Sequence, residues 1–241
     1  MADTLLELSG VHTHIAQYHI LQGVDFAVPR GELTMLLGRN GAGKTTALRT
    51  ILGLWRASAG AIRFEGADIA RRETPDIANL GIAYVPESMG IFAGLTVQEN
   101  LVLAARSGPP AGERLERIFR FFPPMKTFWH LPAGLLSGGQ KQMLAISRAI
   151  VEPRKLILID EPTKGLAPAI INNLIQAFAE LKQTDTTILM VEQNFHAARS
   201  LGDSVAVMDA GRIVHTGRMA ALAADEALQT KLLGLSLETH Q

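Results

Sequence analysis

The sequence predicts an α/β fold in which strands buried on both faces alternate with helices. Short apolar runs of the kind found in such strands occur at residues 33–37, 156–159 and 187–191. A helical pattern follows the first two runs, and the second of these helices begins at Pro168, a residue favoured in the first helical turn. Between the first strand and its helix, residues 38–45 read G-x-x-x-x-G-K-T, the pattern of a phosphate-binding loop.

Several shorter elements complete the predicted fold. Strands are expected at residues 5–8, 24–28, 62–64 and 82–85, with a turn bracketed by Gly53 and Gly60. Residues 205–208 and 212–214 flank an Asp-Ala-Gly turn and predict a hairpin. The Ala- and Leu-rich tail from about Arg218 is expected to be helical.

The middle of the chain is expected to form a small helical insertion, from about residue 90 to 135. Thr96 and Glu99 have the spacing of a capping box, in which each side chain satisfies a free backbone N–H at the start of a helix. That helix is expected to continue to about Arg106. A second helix, at 113–122, would end at the two prolines that follow it.

Composition excludes several classes of protein. Lysine plus arginine and aspartate plus glutamate number 23 each, so no broad positive charge favours nucleic acid or anionic lipid. The chain has no cysteine and therefore no disulfide or thiolate metal site. No apolar run approaches the roughly 20 residues that span a bilayer, and residues 1–10 do not resemble a secretory signal. We expect a soluble chain that reaches a membrane only through a partner.

The loop at residues 38–45 has the residue types that triphosphate binding requires. Glycines let the backbone bend sharply and bring its N–H groups close to an anion. Lys44 would reach the terminal phosphates, and the Thr45 hydroxyl would ligate Mg²⁺. The predicted nucleotide-binding residues of this segment are Gly38, Arg39, Asn40, Gly41, Ala42, Gly43, Lys44, Thr45 and Thr46.

A second anion-binding segment begins another predicted helix. Ser137 is a favourable N-cap, and Gly138 and Gly139 leave backbone N–H groups uncovered before Gln140. By itself this segment is weak support for a ligand site, because many helices begin with Ser-Gly. Its weight increases because an apolar strand further along the chain ends in two adjacent acids, Asp160 and Glu161.

Together, residues 38–45, 136–140 and 156–161 resemble the motifs of the nucleotide-binding subunits of ATP-binding-cassette (ABC) transporters, in that family's order. The resemblance implies a P-loop NTPase fold of the ABC type in a single domain, 1–241. It also implies an antiparallel β subdomain and a helical signature subdomain at about 90–150. The implied activity is ATP hydrolysis with Mg²⁺. In the implied head-to-tail dimer, each ATP lies between one P-loop and Ser137, Gly138, Gly139 and Gln140 of the other subunit.

The resemblance also implies roles for individual acids and identifies two departures. Asp160 would hold Mg²⁺, and Glu161 would polarise the attacking water. Glu87 stands where the family commonly has Gln; it is a metal candidate with Thr45 and Asp160, or a simple loop acid. Gln193 replaces the family's switch histidine, so we expect it to sense the γ-phosphate without proton transfer. His196 is expected on the surface of a helix.

The adenine contact is less well defined by the sequence. The family's stacking aromatic would fall near Ile15, and Tyr18 or His14 are the alternatives. His12, His14 and His19 are close together in sequence. We expect them to be solvated loop residues rather than a metal site, since they have no cysteine or acidic companion at ligand spacing.

Four segments resemble one branch of the family, the smaller nucleotide-binding subunit of branched-chain amino acid importers: 84–87, 95–100, 165–168 and 191–194. The implied partners are two transmembrane permease subunits, a second ATP-binding subunit and, indirectly, an extracytoplasmic solute-binding protein. The chain would lie peripherally on the cytoplasmic face of the inner membrane. Permease helices are expected near residues 87–129, where aromatics would serve both docking and the insertion's core: Phe92, Phe119, Phe121, Phe122, Phe128 and Trp129.

Three alternatives stay open from the sequence. Importers of urea or another small solute share much of the pattern. A regulatory module that closes on ATP and barely hydrolyses it is favoured by Gln193. An ABC-type ATPase of DNA repair or translation is disfavoured, because those proteins carry a long coiled coil or two cassettes and the charge here is neutral.

Overall fold

The computed structural model describes residues 3–234. The strands are β1 (Thr4–Ile15), β2 (Tyr18–Pro29), β3 (Leu33–Leu37), β4 (Ala57–Phe64), β5 (Ala67–Asp68), β6 (Ile82–Val85), β7 (Leu156–Asp160), β8 (Thr187–Val191), β9 (Ser204–Asp209) and β10 (Arg212–Arg218). The α-helices are α1 (Lys44–Ile51), α2 (Thr74–Asn79), α3 (Val97–Ala104), α4 (Glu113–Phe121), α5 (Pro124–Thr127), α6 (Gly138–Ile150), α7 (Pro168–Leu181), α8 (Phe195–Leu201), α9 (Met219–Ala224) and α10 (Glu226–Leu233).

One sheet is antiparallel and contains the first strands of the chain. Its order is β2-β1-β4-β5, with β1 paired to both β2 and β4. The strands are longer than the apolar residues predicted. The turn expected between Gly53 and Gly60 is present at residues 52–55 but ends before Gly60, because residues 57–64 form β4. Gly60 lies within β4, where an added Cβ would approach the Gly10 carbonyl oxygen to 2.2 Å. Only glycine permits the two backbones to lie so close together.

The second sheet contains the buried apolar runs and is largely parallel. Its order is β10-β9-β3-β8-β7-β6, and only the β9–β10 hairpin is antiparallel. Every residue of β3, β7 and β8 is buried, which confirms the prediction that these strands are covered on both faces. Because neighbouring parallel strands end at the same edge, the segments after β3, β6, β7 and β8 meet there.

The predicted helical insertion is present as α3, α4 and α5. The capping box is confirmed: the Thr96 hydroxyl accepts a hydrogen bond from the Glu99 N–H, and the Glu99 carboxylate accepts one from the Thr96 N–H. Helix α3 ends at Ala104, slightly before the predicted end. Ile118, Phe121 and other apolar residues of the insertion pack in the same core as α6, α7 and the parallel sheet.

The aromatics of the insertion divide between its core and its surface. Phe121 and Phe122 are buried, and Phe92 is exposed. Phe119, Phe128 and Trp129 are partly buried against the core, with Phe119 and Trp129 in an edge-to-face contact. The Arg148 guanidinium lies over the exposed Phe92 ring, 5.0 Å from its centroid. The core role of the insertion's aromatics is observed, and their docking role stays a prediction.

Among residues 3–234, no helix combines the length and apolarity that crossing a bilayer requires. The hairpin of β9 and β10 is confirmed, and the helical tail after Arg218 is confirmed as far as Leu233; residues 235–241 lie outside the described range. The short helices α2, α5 and α8 were not predicted as elements, although the surface-helix position expected of His196 lies on α8 and is exposed. Their four to seven residues are too few for a periodic pattern to be recognised.

Candidate functional site

The loop at residues 38–43 connects β3 to α1 and exposes the start of that helix. Gly43 is the N-cap of α1 with φ of 109°, and no side chain caps the helix. The first N–H groups of α1 are therefore available to an anion. Gly38 has φ of 147°, and a Cβ there would approach the Met208 carbonyl oxygen to 2.1 Å. Glycine is thus required both for conformation and for space.

Lys44 lies within this loop, with only 4% of its surface exposed. Its ammonium donates hydrogen bonds to the carbonyl oxygens of Gly38, at 2.8 Å, and Arg39, at 3.0 Å. It also lies 3.9 Å from Glu161 Oε1. Burial lowers the pKa of Lys44, and the charges of Glu161 and Asp160 oppose that shift. The loop therefore concentrates a desolvated positive charge beside a helix N-terminus, as triphosphate binding requires.

Two of the three predicted metal ligands are in direct contact. The Thr45 hydroxyl donates to Asp160 Oδ1 at 3.1 Å, which joins the start of α1 to the end of β7. Asp160 is fully buried, and burial raises its pKa while the Thr45 hydrogen bond lowers it. A hydroxyl and a carboxylate are hard oxygen ligands of the type that Mg²⁺ prefers, so these residues fit the ion.

Tyr84 was predicted only as a strand residue, yet it belongs to this cluster. Its hydroxyl donates to Asp160 Oδ2 at 3.3 Å. Burial, followed by the Asp160 charge, raises the pKa of Tyr84 to about 12, so the phenol stays protonated as a donor. Tyr84 and Thr45 therefore engage one oxygen of Asp160 each.

Glu87, the third predicted ligand, lines the same cavity but contacts a lysine rather than Thr45 or Asp160. Its carboxylate Oε1 lies 2.5 Å from Lys164 Nζ and accepts its hydrogen bond. Lys164 was not singled out in the sequence. The metal role of Glu87 stays a prediction.

Glu161 and Gln193, the two predicted catalytic residues, are in contact. The Gln193 side-chain amide donates to Glu161 Oε1. The Glu161 N–H donates to the Val191 carbonyl oxygen at 2.9 Å, which ties β7 to the end of β8. Glu161 has φ of 47°, a left-handed conformation that non-glycine residues rarely adopt and that concentrates at functional sites. The predicted γ-phosphate contact of Gln193 is untested; the contact observed is with Glu161.

Glu192 is a buried carboxylate that sequence analysis missed. It is 2% exposed, and it accepts hydrogen bonds from the backbone N–H groups of Thr163, Gln193 and Asn194, at 3.0–3.1 Å. Burial raises its pKa, whereas these hydrogen bonds lower it. Glu192 thus holds the loop after Glu161 against the segment containing Gln193. An acid directly after the apolar run 187–191 was its sequence signal.

The second predicted anion site lies at the start of α6. Ser137 Oγ accepts from the Gln140 N–H, and the Gln140 side chain accepts from the Ser137 N–H at 2.9 Å. Gln140 therefore acts as a helix cap here. A Cβ on Gly139 would approach Ile170 to 2.7 Å, so this glycine also allows α6 to pack on α7. Neither Ser137, Gly138, Gly139 nor Gln140 lines the P-loop cavity.

The P-loop cavity has a volume of about 350 Å³ and one apolar lining residue from β2. That residue is Ile20, which sequence analysis did not select, whereas Ile15, His14 and Tyr18 are not among the lining residues. Ile20 is an apolar residue of β2, two positions after the candidate Tyr18, and this was the signal that the sequence offered. The geometry of the β1–β2 hairpin decides which of these residues faces the loop. The lining residues are Ile20, Asn40, Gly41, Ala42, Gly43, Lys44, Thr45, Thr46, Glu87, Glu161 and Lys164.

The expectation that the three N-terminal histidines lie in a loop is wrong. His12 and His14 are in β1 and His19 is in β2, because the strands extend almost to the hairpin tip. His14 stacks on His19 with ring centroids 4.2 Å apart, and His12 Nδ1 lies 2.9 Å from His19 Nε2. Within residues 3–234, no cluster of three or more histidines and acids has the geometry to hold a metal ion.

Comparison with known proteins identifies the family. A protein-family model described as ABC transporter matches residues 21–164, which include the loop at 38–45, Ser137 and Glu161. The chain belongs to the ABC transporter family. This ABC cassette binds and hydrolyses ATP, and the predicted P-loop fold with an antiparallel sheet and a helical part is confirmed.

Two curated relatives and one solved structure resemble this cassette over nearly its whole length. The high-affinity branched-chain amino acid transport ATP-binding protein BraG of Pseudomonas aeruginosa is 36% identical, over 95% of this chain and 100% of the relative. The probable branched-chain amino acid transport ATP-binding protein LivF of Archaeoglobus fulgidus is 33% identical, over 91% and 94%. A crystal structure of a nucleotide-free ATP-binding cassette from an ABC transporter has a TM-score of 0.80 at 26% identity, covering 97% of this chain and 99% of that one.

Proposed function

We propose that this cassette is the ATP-hydrolysing subunit of an importer for branched-chain or related amino acids. The single observation that carries the ATPase assignment is the meeting of Lys44, Asp160 and Glu161 at one edge of the parallel sheet. The names of the two curated relatives support the substrate class. The transported solute could instead be urea or another small molecule, with the same ATPase function.

The proposed roles follow from the contacts in the cavity. The N–H groups of the loop, Lys44 and Thr46 would hold the triphosphate. Thr45 and Asp160 would hold Mg²⁺, with Glu87 as a further candidate, and the ion would neutralise phosphate charge. Asn40 and the other loop residues would shape the cradle around the phosphates.

Glu161 is proposed to orient and polarise the attacking water. The Gln193 amide donates to Glu161 Oε1, and the buried Oε2 lies 3.4 Å from Lys164 Nζ in an ion pair. The protein therefore positions both oxygens of the carboxylate that would polarise the water. The Gln193 amide has no titratable proton, so we assign it to positioning and phosphate sensing rather than to proton transfer.

The assembly is proposed from the two anion sites. Ser137, Gly138, Gly139 and Gln140 do not line the P-loop cavity, so they would complete the site of a second ATP-binding subunit placed head to tail. Two permease subunits would contact the helical insertion, and a solute-binding protein would act through them. The cassette would thereby be peripheral to the cytoplasmic face of the inner membrane. The single domain 1–241, with a helical subdomain at about 90–150, remains part of this proposal.

A weakly hydrolysing, ATP-gated regulatory subunit is the second candidate. It is favoured by the neutral Gln193 beside Glu161, since a glutamine cannot exchange a proton during turnover. An ATPase of DNA repair or translation is less well supported, because the relatives described above are transport proteins.

The test is ATP turnover and solute uptake by the complex purified with its native membrane subunits and reconstituted in vesicles. Wild type is expected to hydrolyse ATP and to accumulate labelled leucine. Glu161→Gln is expected to retain ATP binding and lose turnover, and Lys44→Ala is expected to lose binding. Equal turnover in wild type and Glu161→Gln would contradict the mechanism. Uptake of urea in place of leucine would change the proposed solute and leave the proposed ATPase mechanism intact.

A further inference from the structure

Four charged side chains lie side by side across the P-loop cavity and alternate between acid and base. Their spatial order is Glu87, Lys164, Glu161 and Lys44. Glu87 Oε1 lies 2.5 Å from Lys164 Nζ, and Lys164 Nζ lies 3.4 Å from Glu161 Oε2. Glu161 Oε1 in turn lies 3.9 Å from Lys44 Nζ. All four residues line one cavity. Lys164 is therefore the link between an acid after β6 and the acid proposed to polarise water.

A second cation is needed here because the cavity is rich in acid. Glu87 and Glu161 both line it, and Asp160 lies directly beneath Thr45. A triphosphate would add further negative charge, and the phosphates and carboxylates would repel one another. Lys44 is already engaged with the loop carbonyls. Lys164 is the remaining cation among the lining residues that the structure describes.

The backbone places Lys164 for this role. The Lys164 N–H donates to the Glu161 carbonyl oxygen at 3.2 Å in a tight turn, and the preceding Thr163 N–H is held by Glu192. The ammonium is thus carried by the same hydrogen-bonded turn as Glu161. The pKa of Lys164 is raised by its hydrogen bond to Glu87 and by the charges of Glu161 and Glu87, so it stays protonated.

We propose that Lys164 is a positioning residue for ATP hydrolysis, which neutralises Glu87 and holds the Glu161 carboxylate through Oε2. The inference rests on the proposed function, because it assigns Lys164 a part in the reaction at that site. An exposed ion pair without this role would contribute little. A surface pair of the same kind exists in Lys155 and Glu65, 2.7 Å apart and outside the cavity, which supplies a matched control.

The first test is a double-mutant cycle on ATP turnover by the full-length protein with Mg-ATP. Lys164→Gln is expected to lower kcat at least fivefold while KM for ATP changes less than twofold. Glu87→Gln is the second single variant of the cycle. The double variant Glu87→Gln, Lys164→Gln is expected to lose no more than Lys164→Gln alone, because the two side chains act as one unit. Lys155→Gln is expected to match wild type. A kcat for Lys164→Gln within twofold of wild type, or losses that multiply, would overturn the inference.

The second test is independent of activity. Lysine side chains of the full-length protein without nucleotide are reductively ¹³C-methylated and titrated by NMR. The Lys164 signal, assigned by its absence in Lys164→Gln, is expected to have a raised pKa that falls in Glu87→Gln and is unchanged in Glu65→Gln. A Lys164 pKa that does not respond to Glu87→Gln would refute the ion pair.

The two proposals fail separately. If Glu161→Gln abolishes turnover and Lys164→Gln does not reduce it, only the role of Lys164 is wrong. If wild type and Glu161→Gln turn over equally, the proposed function itself is wrong.

Discussion

Replacing Glu192 with glutamine should loosen the catalytic edge of the sheet while preserving side-chain shape. Glu192 Oε1 accepts from the Thr163 N–H, and Oε2 accepts from the N–H groups of Gln193 and Asn194. A glutamine keeps one oxygen and turns an NH₂ group toward at least one of these donors. One or two hydrogen bonds to a charged acceptor are therefore lost.

The expected magnitude follows from those contacts. Hydrogen bonds to charged groups contribute roughly 1.5–3 kcal/mol each, and removing a buried charge returns part of that loss. We expect Glu192→Gln to lower the free energy of unfolding by about 2 kcal/mol. For a chain of this size that corresponds to a Tm lower by about 4–8 °C. We also expect kcat to fall, because Glu192 anchors the backbone of the residue that contacts Glu161.

The assay is thermal and urea unfolding of the full-length protein, with ATP turnover measured on the same preparations. Glu116→Gln on the exposed face of α4 is the matched control and should leave Tm within 1–2 °C of wild type, roughly the error of small surface changes. A Tm for Glu192→Gln equal to that of the control would show that the three N–H groups do not depend on the carboxylate.

Three further changes have defined outcomes. Gly38→Ala places a Cβ against the Met208 carbonyl oxygen, so urea unfolding should show a loss of about 3 kcal/mol or a failure to accumulate folded protein; unchanged stability would contradict the close approach. Tyr84→Phe removes a hydrogen bond to Asp160, and we expect about 1 kcal/mol less stability together with weaker retention of Mg-ATP in equilibrium dialysis. The pKa of Glu99 is lowered by its capping hydrogen bonds, so its contribution is present above the unfolded value of 4.5 and is lost as pH falls through the lower folded value. The Tm difference between wild type and Glu99→Gln should therefore shrink between pH 6 and about pH 3, and a constant difference would refute this.

The predictions that succeeded depend on neighbouring residues. The P-loop requires glycines at particular positions of one short turn, and the capping box requires Thr96 and Glu99 three residues apart. Strands β3, β7 and β8 were recognised because full burial leaves a continuous apolar run. Each of these is a local requirement that the sequence states directly.

The predictions that failed or were absent concern strand pairing and packing, which no short sequence pattern shows. At the hairpin tip His14 pairs with His19 and Ile15 with Tyr18, but residues 12–19 contain no apolar run from which the sequence could show that β1 and β2 extend so far. Ile20 lines the P-loop cavity because the fold brings β2 beside the loop residues 40–46. Gln140 caps the start of α6, and its expected contact with nucleotide stays a prediction.

By itself, the sequence determined the chemistry of this protein: a phosphate-binding loop, a serine-capped helix with two glycines, and two acids after a buried strand. Local backbone geometry demands those residues wherever the fold places them. The tertiary structure decided which side chains these groups contact. Tyr84 hydrogen-bonds to Asp160, 76 residues away in sequence, and Lys164 hydrogen-bonds to Glu87, 77 residues away. Parallel strands from distant parts of the chain end at one edge, and only that shared edge brings these side chains within hydrogen-bond distance.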